Sequence, residues 1–584
     1  MSIAKLAAGQ QNYYLSAVAK GVEDYYAGRG EAPGEWLSTG GNADLSLDGR
    51  VDHDALHAVL SGADPRDGRG LVRSSRRVPG FDATFSAPKS VSLLFGLGDD
   101  RVAREAVAAH DAAVNAAVGY LERVAAMGRR GAGGVDRVDT TGLVAAAFRH
   151  RTSRAGDPQL HSHVLIANMA RGTDGRWGAL DARLLYWHQR TAGFLYQAHL
   201  RAELTRRLGV AWRPARNGMA EIDGVPTAVL RAFSARRVEI EDRMAQLGVH
   251  SAKGAEVATL STRGAKGEPE TTESLRARWR AQAAEIGFDA ARLRDVLASP
   301  REPTEPWATR DELDDVLTEH VSFFDRRDVL RAIAERAPDG VDVAAAEERA
   351  DEYLASPSAV ELSAGVVGMR YSTPELLRIE ADLLASAEQH QDDGVAVTDN
   401  ATVERVLAAR PTLTDEQRGL VRRVTTSGAG VEMVVGAAGA GKTFALDAAR
   451  DAWQQSGHRV IGVALAARAA AELQAGSGIP SFTIDALHYH CESNPHGALP
   501  KNCVVVVDEA GMVGTRKLDR VHRLVRDADA KLVLVGDPRQ LPEINAGGAF
   551  TGLLRRLGAT RLVANMRQRD PVECLALAEL RGRK

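Results

Sequence analysis

Apolar and polar positions follow three different rhythms along this chain. Through about residues 1–290, short β-like runs (Ser90–Phe95, Leu143–Phe148, His163–Asn168) sit among Ala-rich stretches with helical spacing (Val102–Ala125, Arg190–Leu208), the mixture expected of an α+β domain. The segment Ser299–Pro306 holds three prolines and no other apolar residue, which predicts an exposed boundary. Residues 291–410 then read as an acidic, helical connector (Thr309–Ala337, Val343–Ala355, Thr373–Glu388) without candidate chemistry. From Pro411 to Lys584 apolar β runs alternate with helices, the signature of a parallel sheet covered on both faces. The expectation is a multidomain protein, α+β followed by α/β, with no fixed-period repeat.

Composition narrows the class. A length of 584 residues suffices for about four domain-sized cores, and 44% hydrophobic with 26% charged residues excludes collagenous, mucin-like and disordered chains. The three cysteines, Cys491, Cys503 and Cys574, are too few and too dispersed for a disulfide framework or a thiolate zinc site, which fits a reducing cytosol. No stretch has the apolar length of a signal peptide or a bilayer span, so a cytoplasmic protein without membrane insertion is expected. The net charge of −3 argues against a coat of nucleic-acid-binding charge, yet residues 101–215 carry 17 basic against nine acidic side chains, leaving the remainder strongly acidic. Such a local surplus is the electrostatic footprint of a phosphate-backbone binder, or simply a solvated set of helix faces.

The most unusual constellation is His150, His161 and His163. His161-Ser-His163 opens a β-like run, and side chains two apart on a strand share a face. His150 closes another run, and the Gly156-Asp157-Pro158 turn signal between them would fold the two strands into an antiparallel pair. Three converging imidazoles form a divalent-metal site with open positions, as a catalytic metal requires; the all-imidazole set suits zinc or manganese better than magnesium. Near the N-terminus lie Tyr13-Tyr14 and Tyr25-Tyr26. Adjacent tyrosines ordinarily pack, but a tyrosine is also a fitting nucleophile for phosphodiester transesterification, given a base or a polarised phosphate to activate a phenol of pKa about 10. Asp82 is a candidate helper, either orienting a ligating imidazole or accepting the proton.

The third region carries a second chemistry. Val431–Val435 reads as a strand, followed by Gly436-Ala-Ala-Gly439-Ala-Gly441-Lys442-Thr443 and a helix through Arg450, which is a P-loop in its required strand–loop–helix setting. Its glycines admit backbone N–H groups to the phosphates of ATP, Lys442 reaches the β and γ oxygens, and Thr443 ligates Mg²⁺. The run Cys503–Val507 ends in Asp508, which would hold that Mg²⁺ through water, and Glu509, which would polarise the attacking water.

The paired tyrosines, the segment Asp82-Ala-Thr-Phe-Ser-Ala-Pro-Lys-Ser-Val-Ser92, and His150 followed by Gln159-Leu-His-Ser-His-Val164 closely resemble the TrwC/TraI-type (MobF) conjugative relaxases, members of the histidine-hydrophobic-histidine nucleases, over about residues 1–290. Ser162 stands where the group name places a hydrophobic residue, on the side away from the metal. The resemblance implies an antiparallel nuclease palm that nicks one strand at a transfer origin. Tyr13 would attack first and keep a 5′-phosphotyrosyl link, Tyr25 would serve the second strand transfer, and Tyr14 and Tyr26 remain as neighbours able to substitute. His150, His161 and His163 would hold Mg²⁺ or Mn²⁺, with zinc also admitted, and Asp82 would assist. Lys89 and the arginine surplus would follow the DNA backbone, with Trp177, Tyr186 and Trp187 available for stacking, at least one of them packing instead.

Leu413-Thr-Asp-Glu-Gln417, Val535-Gly-Asp-Pro-Arg-Gln540 and Asn565-Met-Arg567 look like motifs of RecD-type superfamily 1 helicases. That likeness implies Gln417 on the adenine, Gln540 at the γ-phosphate, Arg567 as an arginine finger, and Thr483–His488 on DNA. The partners implied are single-stranded and transfer-origin DNA, a coupling protein, and type IV secretion or actinobacterial-type transfer machinery. The division expected is a relaxase over 1–290, a connector with the first part of the helicase region over 291–410, and one RecA-like domain over 411–584. A second RecA-like domain is missing, so processive unwinding is not expected. Rival readings are a rolling-circle replication initiator, which would use the same tyrosine and histidines, and a repair or recombination ATPase with an N-terminal DNA-binding module.

Overall fold

The computed structural model describes residues 1–6, 32–72, 78–131, 134–153, 155–247, 271–305, 308–365, 368–437, 439–493, 498–538 and 546–563. The chain forms two compact units, one of residues 1–313 and 326–353, the other of residues 314–325 and 354–584. The connector region of the sequence thus contributes to both.

The first unit is built on a five-stranded antiparallel sheet. Its strands are β1 (Ser2–Lys5), β2 (Glu35–Trp36), β3 (Gly80–Ser86), β4 (Ala145–Thr152) and β5 (Pro158–Ala167), in the order β1-β3-β5-β4-β2. Alternation on the central strand decides the layering: Leu160, Ser162, Val164 and Ile166 are buried on one face. Behind that face run two long helices, α2 (Asp100–Ala125) and α3 (Ala182–Leu208). Helix α2 starts where the Asp99 carboxylate caps the Val102 N–H and presents an Ala-rich stripe that lets α3 lie close. On the opposite face Leu165 and Ala167 join Trp36, Leu45 and Leu56 in a smaller core, which covers one end of the sheet only.

One segment departs from the sequence reading. Ser90–Phe95, expected as a strand, lies within helix α1 (Lys89–Leu97). Pro88 at its N-cap presets the start, and Ser90, Val91, Ser92, Leu93, Leu94, Gly96 and Leu97 are all buried, so the apolar run has no polar face from which a period could be read. Its serines are satisfied within the core: Ser90 Oγ accepts from the Ile222 N–H at 2.9 Å and Ser92 Oγ from the Leu160 N–H at 3.0 Å. The helix expected over Thr309–Ala337 is also two helices, Arg310–Leu317 and α4 (Arg326–Arg336), divided where Phe324 bridges to Tyr371. Helices α4 and α5 (Val343–Leu354) return the chain to the first unit, where the buried Arg201 of α3 donates to the carbonyls of Gly218, Ala334 and Ala337.

The second unit opens with a hairpin, β6 (Val360–Gly365) and β7 (Gly368–Ser372), then α6 (Pro374–Gln389) and α7 (Asp415–Thr426). A six-stranded parallel sheet follows, from β8 (Val431–Gly436), β9 (Val460–Ala464), β10 (Ser481–Thr483), β11 (Val504–Val507), β12 (Lys531–Gly536) and β13 (Thr560–Leu562), in the order β10-β9-β11-β12-β8-β13. Strands β8, β11 and β12 are buried end to end, as strands covered on both faces must be. Among the described residues, no helix is long and apolar enough to cross a membrane.

Each unit buries a histidine whose burial keeps it neutral. His110 on α2 has its pKa pulled down to about 3, and His522, on helix α10 (Thr515–Asp527), to about 4. An unfolded histidine takes up its proton near pH 6.5 while the folded one resists, so stability is full above that value and drains away as pH falls toward the folded pKa. Thermal unfolding should show a loss on the order of 3 kcal/mol per histidine by pH 4.5. A midpoint that stays constant between pH 7 and 4.5 would contradict this.

Candidate functional site

The histidines come together as the strand periodicity requires. In the β4–β5 pairing His150 lies directly opposite His161, and in the β3–β5 pairing Thr84 lies opposite His163. The three rings stand with centroids 5.2, 5.0 and 5.4 Å apart, and one nitrogen from each falls within 4.8 Å of the others. They occupy the end of the sheet face that the smaller core leaves uncovered, and each is partly exposed.

Two of the rings have their tautomers set by their neighbours. His161 Nδ1 donates to the Gln159 carbonyl at 2.9 Å, a partner that can only accept. His163 Nδ1 donates to the Asp82 carboxylate, with both oxygens at 2.9 Å, and the Thr84 hydroxyl donates to the same carboxylate at 3.3 Å. Asp82 therefore sits behind an imidazole, in the orienting place that a carboxylate takes beside a ligating histidine. Four residues from three neighbouring strands, drawn from positions up to 81 apart in sequence, form this unit.

Ser162 points to the other face and is buried there. Its hydroxyl lies 2.8 Å from Nε2 of His110, whose Nδ1 lies 2.7 Å from the Tyr196 hydroxyl on α3. Nothing in the sequence pattern singles out this chain of three, because its members lie in separate elements and two of them sit within long helical runs.

Many of the surrounding cations are already engaged. Lys89 is turned inward rather than toward a DNA backbone: its ammonium donates to the Pro158 carbonyl at 2.8 Å, and burial brings its pKa down to about 8. Arg130, Arg137, Arg149, Arg171, Arg183, Arg206 and Arg207 are all in ion pairs with carboxylates. Of the three aromatics, Trp177 and Trp187 are half-buried, with Arg137 lying over the Trp187 ring, whereas Tyr186 is 36% exposed and stands edge-on to Phe81. The tyrosines Tyr13, Tyr14, Tyr25 and Tyr26 lie outside the described residues.

A second cluster forms at the carboxyl edge of the parallel sheet, where open α/β folds take their ligands. Strand β8 ends at Gly436, and Gly441 (φ 76°) caps helix α8 (Lys442–Gln455). Gly439 is also left-handed at φ 84°, so two positions of this loop need glycine for their backbone alone. The Lys442 ammonium is buried and has no hydrogen-bond partner among the described residues, which leaves a cation aimed into the loop that an anionic ligand would satisfy. Thr443 follows it on the same first turn. Asp508 and Glu509 leave the end of β11; burial raises both carboxyl pKa values, against the pull of Lys442. Glu509 holds φ 51°, a left-handed conformation rare for a residue of its kind and a mark of local strain.

Gln417 is 2% exposed and already engaged. Its Oε1 accepts from the Thr414 N–H in a capping box at the start of α7, and its Nε2 donates to the Gly441 carbonyl at 3.3 Å. The spacing Thr414-x-x-Gln417 before an apolar helix carries that capping signal in the sequence. Thr483–His488 spans the end of β10 and the start of helix α9 (Ile484–Ser493), flanked by the exposed rings of Phe482 and Tyr489. Gln540 and Arg567 lie outside the described residues.

Comparison with known proteins finds a match in each half of the chain. A family model described as TrwC relaxase matches residues 7–286, and one described as an AAA domain matches residues 412–584. A probable conjugal transfer protein TraA of Sinorhizobium fredii is 36% identical over 280 residues, 46% of this chain and 24% of that protein. A multifunctional conjugation protein TraI of Escherichia coli is 34% identical over 309 residues, 50% of this chain and 16% of that protein. The matched segments thus span a quarter or less of these relatives. Among solved structures, the conjugative relaxase TrwC in complex with oriT DNA, in a copper-bound form, is 33% identical and covers 50% of this chain and 99% of its own, with a TM-score of 0.44. The first half of the chain is thus similar to TrwC relaxases, over residues 7–286, and its last part to AAA domains, over residues 412–584.

Proposed function

We propose that this chain is a conjugative relaxase: a metal-dependent, site- and strand-specific DNA transesterase occupying about residues 1–290, joined through residues 291–410 to a RecA-like ATPase of the superfamily 1 helicase type over 411–584. The observation that carries this reading is the convergence of His150, His161 and His163 on one sheet face with Asp82 fixing the third ring. The donor set fits a divalent ion, because two of the rings are held by Nδ1 and would offer the second ring nitrogen. When bound, the ion would neutralise charge on the non-bridging oxygens of the scissile phosphate. Magnesium or manganese is the expected ion, with zinc suited to the imidazoles.

The chain's own residues then do the following. Asp82 and the Gln159 carbonyl keep the two imidazoles in their ligating tautomers. The Tyr13 phenol gives up its proton as its oxygen forms the new bond to phosphorus, the bond from phosphorus to the 3′ oxygen breaks, and that oxygen takes up a proton to leave a 3′ hydroxyl while the 5′ phosphate stays esterified to tyrosine. Tyr25 serves the second transfer, with Tyr14 and Tyr26 beside them. In the ATPase region Gly436, Gly439 and Gly441 admit the phosphates, Lys442 pairs with them, Thr443 and Asp508 hold Mg²⁺, and Glu509 orients water. Gln417 would read the adenine with the capacity its capping bonds leave it, Gln540 would sense the γ-phosphate, and Arg567 would supply the finger.

A cytoplasmic protein of this kind would meet single-stranded and transfer-origin DNA, a coupling protein and a type IV or actinobacterial-type transfer apparatus. The similarity to conjugation proteins favours this reading over a rolling-circle initiator or a repair ATPase. The test is a labelled single strand spanning the transfer origin, incubated with the protein and Mg²⁺ or Mn²⁺. An SDS-resistant adduct is expected with the wild type and none with Tyr13→Phe; an adduct that persists in Tyr13→Phe would remove Tyr13 from the first step.

A further inference from the structure

Behind the triad lies a polar chain that the proposed chemistry does not use. Tyr196, His110 and Ser162 are 0%, 0% and 2% exposed, and they link α3, α2 and the central strand β5 at 2.7 and 2.8 Å. On one side Phe85 of β3 stands opposite Ser162 with its ring centroid 5.3 Å from that of Tyr196; on the other, Arg149 of β4 stands opposite Ser162 and pairs with Asp111, the neighbour of His110. Three polar groups so buried are costly to keep unless they specify something.

The register of β5 is what they can specify. A one-residue slip would move His161 and His163 into the core, so side-chain alternation forbids it. Alternation does not forbid a slip of two, which leaves every side chain on its own face. Such a slip shifts the strand by about 6.8 Å. It would take His161 from opposite His150 and His163 from opposite Thr84. It would equally carry Ser162 out of reach of His110. A hydrogen bond from a fixed helix to the one residue between the two ligands therefore selects among the registers that alternation cannot tell apart, the best-attested use of buried polar groups.

We propose that His110 is a positioning residue for the histidine triad: anchored on Tyr196, it pins Ser162 and so fixes, from behind the sheet, the register in which His161 and His163 face His150 and Asp82. The inference rests on the reading of the triad as a metal site, and its test separates the two. Co²⁺ is titrated into the full chain, following its visible absorption, alongside thermal unfolding without metal. Ser162→Ala and His110→Phe are expected to weaken Co²⁺ binding by about tenfold, the lower end of what loss of an outer-shell partner costs. His110→Gln, which can still bond the Ser162 hydroxyl, should recover most of it. If the folded Ser162→Ala protein binds Co²⁺ within about twofold of wild type, whatever its melting temperature, His110 only packs and the proposal is overturned. Should His110→Phe fail to fold, Ser162→Ala, which removes a single hydroxyl, decides alone. A wild type that binds no Co²⁺ would instead overturn the metal site itself.

Discussion

His161→Ala is expected to reduce metal-dependent cleavage of single-stranded origin DNA by roughly 10³-fold, the scale on which loss of preorganised charge stabilisation at a transition state is felt. The size follows from where the residue sits. His161 lies opposite His150 and two positions from His163, and its Nδ1 is committed to the Gln159 carbonyl, so no neighbouring side chain can take over its place. Asp82→Asn tests the same site more gently. The amide keeps the shape but no longer carries the charge that holds the His163 N–H, and a fall of about 10- to 100-fold in metal affinity should follow. Quench-flow or gel measurements of adduct formation across a range of Mn²⁺ would separate the two: excess metal should recover much of the Asp82→Asn rate and little of the His161→Ala rate. Cleavage by His161→Ala at near wild-type rate in saturating metal would show that the triad is not the catalytic centre.

Lys442→Ala is expected to abolish measurable ATP turnover, a loss of about 10²- to 10³-fold or more, in whatever ATPase activity the chain displays. A buried ammonium with no hydrogen-bond partner among the described residues, beside the Asp508 and Glu509 carboxyls, is one that phosphate oxygens would satisfy. Lys442→Ala should also gain less thermal stability than wild type when ATP and Mg²⁺ are added. Phosphate release and a nucleotide-dependent thermal shift are the measurements. Undiminished nucleotide stabilisation in Lys442→Ala would place the phosphates elsewhere.

How much of this could be read from the residues depended on range. The triad was legible because its signal is local: a His-x-His on a strand, a turn signal, and a third histidine closing the preceding run. Helix α2 was legible because its Ala-rich stripe has one wet face, and the P-loop because its glycines, lysine and threonine are contiguous. Helix α1 was misread because it is buried all round, so nothing polar marked its period. The inward turn of Lys89 and the ion pairs of the arginines depend on partners elsewhere in the fold. So does the contact of His110 with Ser162, 52 positions away, which no pattern within one element announces. The hairpin of β6 and β7 escaped because both its faces are largely exposed, leaving no alternation to detect.

The return of α4 and α5 to the first unit has a consequence for how such a protein can be taken apart. Arg201 donates to carbonyls at Ala334 and Ala337, and the Val341 N–H donates back to Ala198, so helix α3 is completed by chain that lies beyond residues 314–325, themselves part of the second unit. The two units therefore alternate along the sequence rather than following one another in series. A gene-shuffling joint at the proline-rich stretch, the place where composition alone would invite a cut, would carry away two of the three acceptors of a buried guanidinium. Exchange of the first unit between such proteins must either transplant residues 326–353 with it or accept a helix α3 that has lost part of its cover.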